Sequence, residues 1–204
     1  METNQQNAKI VTYSKKKIAA IAVVVLIIAL AVALASGLLI TSQNPSSIQT
    51  SNQNFPQFWI AVGAYATYEG QTNVLSTLIS LNVKMEIVGV NETYIQVLTT
   101  FNMSTPYGTT ENTTTTWVNR ENMTFQPDGM TLNSTYNTQV TLPKLGTRSC
   151  TVYKYSSEGI IVTYYVDNQV QWPVKMVMTS PISFDGQSYN MDINLVDTNI
   201  PGLS

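Results

Sequence analysis

The residues of this chain that could carry covalent chemistry are mainly asparagines in the pattern Asn-x-Ser/Thr. Five such sequons are present, at Asn91, Asn102, Asn112, Asn122 and Asn133. This pattern is the acceptor for N-linked glycans on exported surfaces. Chance occurrence in an Asn- and Thr-rich chain is the alternative, but the clustering of all five in one part of the chain predicts a glycosylated, exported domain.

Acid–base and metal chemistry has few candidate residues. The sequence contains no His, which excludes Ser-His-Asp and Cys-His arrangements and imidazole metal sites. Asp192 and Asp197 are too far apart along a strand to share a site by spacing alone, and Asp167 fits a turn cap better than a Ca²⁺ ligand. The single Cys150 is expected to be a buried, inert thiol. We expect no enzyme, no metal and no cofactor, although a carboxylate pair assembled in space stays open.

The charge distribution argues against nucleic acid as a partner. Charged residues make up 11% of the chain, against about 25% in an average soluble protein. Six basic and eleven acidic residues follow Ile40, without a basic stripe. We therefore expect no nucleic acid binding.

The N-terminal region has the pattern of a membrane anchor. The run from Ile18 to Ile40 contains no charged residue, and as a helix it would span about 34 Å, enough for a bilayer core of about 30 Å. Lys15, Lys16 and Lys17 precede it directly. The positive-inside rule then places a tail of residues 1–17 in the cytoplasm and everything after the helix outside, with the lipid bilayer as a partner.

Two forms of processing are alternatives to a retained anchor. Small residues around Ala35 fit a signal-peptidase site, so cleavage there would secrete the domain. The residues from Ser14 to Ala20 also look like the leader of archaeal pilin-type precursors. Each alternative delivers the following domain to the same side of the membrane.

The chain after the anchor divides into a spacer and a β domain. Residues 41–57 are polar, uncharged and contain two prolines, which predicts a flexible stalk; alternatively, residues 41–58 are an arm that pairs with a neighbouring subunit of a homo-oligomer. Over residues 58–204 the dominant hydrophobic period is two. This predicts a mainly β fold, one antiparallel meander or curved sheet of roughly eight to ten strands, as a half-barrel or a sandwich.

Individual strands follow from the same alternation. Trp59–Tyr68 reads as a first strand and 73–79 as a short helical or strand-like connector. Leu81–Ile87 alternates apolar with polar residues, and Tyr94–Phe101 is its expected partner. A hairpin is expected between 149–155 and 160–166, about a turn at Ser156–Gly159.

One strand–turn–strand pattern in the second half resembles a known family. It consists of Tyr164–Asp167 (YYVD), a short turn, and Trp172–Met176 (WPVKM). The pattern resembles that of the LolA/LolB-like periplasmic lipoprotein carriers, which implies a curved half-barrel sheet that binds acyl chains. The overall layout also resembles uncharacterised single-pass surface proteins of thermoacidophilic archaea.

These observations favour a non-enzymatic, membrane-anchored cell-surface protein. It would display a glycosylated β domain for adhesion, or for contact with lipids or other surface proteins. One alternative is a structural subunit of a surface filament or layer, assembled by strand addition through the 41–58 arm. The other is a carrier of a lipid or small apolar ligand. A docked arm strand or an open groove would favour the filament, a large apolar cavity the carrier, and a closed, well-packed sheet with a free stalk display.

Overall fold

A computed structural model of the chain describes residues 59–74, 77–120, 127, 129–180 and 189–204. Within these residues the chain forms one antiparallel sheet of nine strands, which confirms the mainly β prediction. The strands are β1 (Tyr65–Val74), β2 (Thr77–Val90), β3 (Tyr94–Thr105), β4 (Gly108–Asn119), β5 (Thr131–Leu142), β6 (Gly146–Ser157), β7 (Ile160–Asp167), β8 (Pro173–Ser180) and β9 (Tyr189–Thr198).

The sheet consists of two meanders joined at their first and last strands. The strand order is β4-β3-β2-β1-β9-β8-β7-β6-β5, so β1 and β9 lie in the middle and β4 and β5 form the two edges. The predicted meander is therefore correct for each half, and the β1–β9 pair was not anticipated. Because neighbouring strands alternate in direction across nine strands, the two edge strands run in the same direction.

The hydrophobic core lies along one face, which we call the core face. Successive side chains of a strand point to opposite faces, so residues paired across the sheet share a face. One such row crosses all nine strands: Thr110, Met103, Leu81, Gly70, Ile193, Met176, Tyr164, Tyr153 and Thr135. Its members on β3, β2, β9, β8 and β7 are buried, whereas the threonines at its two ends are exposed.

The sheet is curved rather than flat. β5 contacts β9, although three strands separate the two in the sheet order. Such a contact requires the half from β9 to β5 to curl, as twisted sheets do when they approach a barrel. Pro127 is buried and Met130 packs against the core, so described parts of the β4–β5 connection also cover it. The described residues therefore form an open, curved sheet and not a sandwich.

The predicted start of the first strand is wrong. β1 begins at Tyr65, not at Trp59, because the backbone N–H of Ala64 bonds to the carbonyl of Ala61 in a turn and Gly63 has a φ of 88°. A positive φ suits glycine and interrupts an extended strand. The predicted connector at 73–79 is instead the end of β1 and the start of β2, where Val74 pairs with Thr77.

The predicted hairpins are confirmed, with turns fixed by local chemistry. Between β6 and β7, Glu158 and Gly159 have φ values of 49° and 83°, and two consecutive positive φ angles match the twist of a tight hairpin. Between β2 and β3, the Oδ1 atom of Asn91 accepts hydrogen bonds from the N–H groups of Thr93 (2.9 Å) and Tyr94 (2.6 Å). That side-chain cap closes the turn.

The segment after β9 packs back onto the domain. Ile200 and Leu203 are buried, and the guanidinium of Arg148 donates to the carbonyls of Gly202 (2.6 Å) and Leu203 (3.0 Å). Charge-assisted bonds of this kind are among the stronger hydrogen bonds. They secure the last residues across the start of β6.

Candidate functional site

The centre of the core face is filled by three aromatic side chains from distant parts of the chain. Trp59 and Trp172 meet edge to face with ring centroids 4.7 Å apart. The indole N–H of Trp172 donates to the Tyr68 hydroxyl (2.7 Å), which in turn donates to the carbonyl of Pro173 (2.9 Å). Burial raises the pKa of Tyr68 well above its usual value. This cluster is therefore neutral; its Trp172 and Tyr68 polar groups are hydrogen-bonded, whereas the indole N–H of Trp59 is buried without a partner among the described residues.

A cavity beside this cluster is very small. Its volume is about 10 Å³, and its walls include Trp59, Met85, Ile95 and Ile200. About one water molecule needs that much space, and a water also needs polar partners, which these apolar walls do not supply. The cavity next to the aromatic cluster is thus too small for an acyl chain.

Three further residues with an ionisable O–H or S–H group, Tyr155, Tyr164 and Cys150, are buried. Tyr155 and Tyr164 pack edge to face at 6.1 Å, and burial raises the pKa of Tyr155 to about 12 and also raises that of Tyr164. Burial, with Asp167 nearby, raises the pKa of the Cys150 thiol to about 11. Cys150 is thus buried, as expected, and a thiol with such a pKa stays protonated near neutrality.

The carboxylates considered from the sequence do not converge. Asp167 caps its turn, because its Oδ1 atom accepts from the N–H groups of Gln169 (2.9 Å) and Val170 (2.8 Å). Asp192 pairs with Lys175 at 2.5 Å. Asp197 instead accepts a hydrogen bond from another strand, as described next. In the described ranges, no group of three or more His, Cys, Asp or Glu side chains is placed to hold a metal ion.

The outer face of the central strands carries paired charges. The Tyr65 hydroxyl donates to Asp197 (3.2 Å), and the Lys84 ammonium lies over the Tyr65 ring at 5.1 Å. Lys84 also bonds Glu86 at 2.7 Å. These groups pair with one another at the surface, and the described contacts among them do not line a pocket.

The two edge strands form the most unusual surface of the domain. All of β4 from Gly108 to Thr115 is exposed, and so is β5 from Thr131 to Asn137. Consecutive residues are exposed here, and because successive side chains point to opposite faces, both faces of each strand are exposed. Both strands are twelve residues long, contain no proline, and have Glu111 as their one charged residue. Proteins usually protect edges with charges, prolines or short strands.

The sequons fall in different environments. Asn91 caps an exposed turn, and Asn102 is half-buried on β3, between Asn82 and Glu111. Asn112 is exposed on β4, on the core face opposite Phe101. Asn133 is exposed in an irregularity of β5, and its amide donates to the Ser156 hydroxyl (2.7 Å). Asn122 lies outside the described residues. The sheet thus places two sequons on its two edges.

An exposed aromatic patch, which was not predicted from the sequence, lies at one corner of the sheet. Trp117 on β4 and Tyr94 on β3 are 55% and 43% exposed, and the ring of Trp117 lies over Gly89 of β2. The three residues become neighbours only through the β2–β3–β4 register. Exposed aromatic side chains with polar neighbours such as Gln96 suit contact with another surface.

The predicted anchor lies outside the described residues. This applies to Lys15, Lys16, Lys17 and the run from Ile18 to Ile40, as well as to the spacer and the possible cleavage site. Among the residues that the structure does describe, no helix is long and apolar enough to cross a membrane.

Comparisons with known proteins find only weak likenesses. No protein-family model matches the chain, and no curated protein matches it. A crystal structure from Bacteroides fragilis, described as an exported protein with a YmcC-like fold, has a TM-score of 0.40 at 11% identity, covering 68% of this chain and 96% of that one. A domain from Vibrio parahaemolyticus, described as an outer membrane lipoprotein-sorting protein, has a TM-score of 0.26 at 10% identity, covering 70% and 87%. A lipoprotein-sorting domain is thus among the weakly similar structures, and neither likeness bears on what this chain binds.

Proposed function

We propose that this chain is a non-enzymatic, membrane-anchored cell-surface protein that displays its β domain for contact with a protein or lipid surface. One observation supports this above the carrier alternative. The core face is filled by the chain's own side chains, and the cavity beside Trp59 and Trp172 measures about 10 Å³. A pocket for a drug-sized ligand needs roughly 300–1,000 Å³. Among the described residues, this favours the outer surface of the domain over an internal pocket as the contact site for partners.

The address of the domain rests on the N-terminal sequence. The lysine triplet before an uncharged run of helix-spanning length favours an N-terminus in the cytoplasm and a domain outside. A low content of charged groups with many Ser, Thr, Asn and Gln side chains fits a surface hydrated by amides and hydroxyls. Secretion after cleavage near Ala35 would leave the same domain on the same side.

Two measurements test this proposal. Protease added to intact cells should digest the domain from outside; protection in intact cells with cleavage in lysed cells would overturn the location. Full-length protein reconstituted in vesicles should transfer no fluorescent acyl lipid to acceptor vesicles above the protein-free rate. Transfer well above that rate would contradict display and would support the lipid-carrier alternative.

A second candidate function is assembly into a filament or layer, and the long exposed edges favour it. Either edge strand offers a row of unpaired backbone groups to another strand, such as the 41–58 arm of a second copy. A Thr113→Cys variant on β4 would report this pairing by disulfide cross-linking on cells, since the native Cys150 is buried. Gln71→Cys, exposed on central β1, is the matched control. Covalent multimers from Thr113→Cys alone would favour assembly over display.

A further inference from the structure

Two of the sequons lie on the two edge strands. Each edge carries one sequon with an exposed asparagine, Asn112 on β4 and Asn133 on β5. Among the residues that the structure describes, these strands pair on one side only: β4 with β3, and β5 with β6. An exposed strand of this length with at most one charge is a template for pairing with another chain unless something covers it.

The usual protections are weak on both edges. β4 follows β3 in unbroken register from Tyr94–Asn119 to Thr105–Gly108, so no bulge turns it away. β5 has one irregularity, between Leu132 and Ser134, and no charged residue at all. Threonine has high β propensity, which makes these edges more prone to pairing.

We propose that N-linked glycans on Asn112 and Asn133 cover the two edges of the sheet and keep copies of the domain from pairing. The inference rests on the outside location in the proposed function, because the donor for this modification is used there. A bulky, hydrated glycan beside an edge blocks the approach of a second strand while leaving the existing ladder intact.

The chemistry needs one co-reactant, a glycan carried on a lipid phosphate or pyrophosphate. The amide nitrogen of Asn forms a bond to the anomeric carbon of the sugar, the bond from that carbon to the phosphate oxygen breaks, and the amide loses one proton as the lipid phosphate leaves. One N–H remains on the modified amide. Asn133 can therefore keep its donor bond to the Ser156 hydroxyl.

The two other described sequons, at Asn102 and Asn91, lie outside the edge strands. Asn102 is half-buried between Asn82 and Glu111 on a neighbouring pair of strands, so we expect little modification there. Asn91 uses its Oδ1 atom to cap the turn, which leaves its amide nitrogen free in an exposed position. A glycan on Asn91 would sit at the β2–β3 turn, next to the end of β4, where the guanidinium of Arg120 donates to the Asn91 carbonyl (3.2 Å). It would leave the exposed stretch of β4 around Asn112, and β5, uncovered, so it provides an internal control.

The test uses the full-length protein from its native host, purified in detergent. Intact mass and peptide mapping should show glycan on Asn112 and Asn133. The double variant Thr114→Ala/Thr135→Ala removes both edge sequons but keeps both asparagines, and it should shift the protein from monomer to dimer or larger species in light scattering. Thr110→Ala/Thr131→Ala makes the same change on the same two strands outside the sequons and should stay monomeric.

Two further arms keep the proposal open to refutation. Thr93→Ala removes the Asn91 sequon, and the protein should lose that glycan and remain a monomer. Trimming the glycans of the folded wild-type protein with glycosidases that cut between sugars leaves each asparagine as an amide and should also cause self-association, which covers the case of a variant that misfolds. An amidase is avoided because it converts each glycosylated Asn to Asp and so adds a charge to each edge. Unmodified Asn112 and Asn133 in the native protein, or a monomer after both glycans are removed, would overturn the proposal. Protease digestion on intact cells reports separately on the location.

Discussion

The central and the edge strands have similar strand-forming residues but opposite surroundings. In the row across the sheet, Leu81 and Ile193 beside Gly70 are buried, whereas Thr110 and Thr135 at its ends are exposed. Both regions are hydrogen-bonded ladders, and each contains a register shift, at Thr67/Tyr68 in the centre and at Leu132/Ser134 on the β5 edge. The difference shows that pairing builds the sheet but burial stabilises only its middle, because the hydrophobic contribution scales with apolar area removed from water.

The largest expected effect is alkaline unfolding, which originates in the buried tyrosines. Burial raises the pKa of Tyr155 to about 12, and also raises those of Tyr68 and Tyr164, above the ordinary value of 10.0. Above pH 10 the unfolded chain loses these protons and the folded chain keeps them, so stability falls as pH rises. The stabilising contribution is complete below pH 10, and each fully buried tyrosine removes about 1.4 kcal/mol per pH unit above it.

Circular dichroism and absorbance of tyrosinate, followed together on full-length protein in detergent, check this effect. We expect the fold to be lost between about pH 10 and pH 12, with buried tyrosines ionising in the same transition. Tyr155→Phe should move the transition to higher pH. Ionisation of every tyrosine while the β signal persists would contradict the burial of the central cluster.

The next effect compares one substitution in the two regions. Leu195→Ala on central β9 should reduce the free energy of unfolding by about 2–5 kcal/mol, because Leu195 is fully buried and leaves a cavity. Leu132→Ala on edge β5, where the side chain is 47% exposed, should reduce it by less than about 0.5 kcal/mol. Urea unfolding of both variants measures the difference, and equal losses would break the distinction between centre and edge.

A smaller effect comes from the hydrogen bonds inside the aromatic cluster. Tyr68→Phe should cost about 1–3 kcal/mol, because it leaves the Trp172 N–H and the Pro173 carbonyl buried without their partner. The same exchange at Tyr107, which is 83% exposed, should change stability very little. Thermal melts of the two variants measure this. An equal loss of stability in Tyr107→Phe would mean that the loss in Tyr68→Phe does not come from its buried hydrogen bonds.

The smallest effect concerns a charge pair on central β2. Lys84 and Glu86 have side chains 44% and 33% exposed, so Glu86→Gln should change stability by about 0–1 kcal/mol, and less at high salt. Urea midpoints at low and high salt measure it. A loss above about 2 kcal/mol would mean that position in the centre matters independently of burial.

The sequence predicts the strands well because alternation is local. Leu81–Ile87 and the hairpin about Glu158 were predictable, since side-chain period and turn chemistry need no distant partner. The β1–β9 pair was not, because nothing within either strand states which other strand it meets. The curl of the half from β9 to β5 was offered from the sequence only as one of two alternatives.

For the candidate sites, the residue types could be predicted from the sequence, but their positions on the sheet could not. The sequons are visible in the sequence, but their division into edge, turn and half-buried positions depends on strand order. The Trp59–Trp172–Tyr68 cluster joins residues far apart along the chain, and the Trp117–Tyr94 patch requires the β3–β4 register. A single sequence shows that these aromatic residues exist and does not show that they meet.

The pairing of β1 with β9 has a consequence for how the domain is made. A ribosome delivers β1 early and β9 last, so the middle of the sheet cannot close until residue 198 has emerged. Folds dominated by contacts distant in sequence form slowly, and the waiting β1, paired with β2 alone, is meanwhile an open edge. Each meander can form by itself from local hairpins, and the slow step is then the meeting of the two halves. Shortening the chain before β9 should therefore prevent completion of the whole sheet and not merely of its last strand.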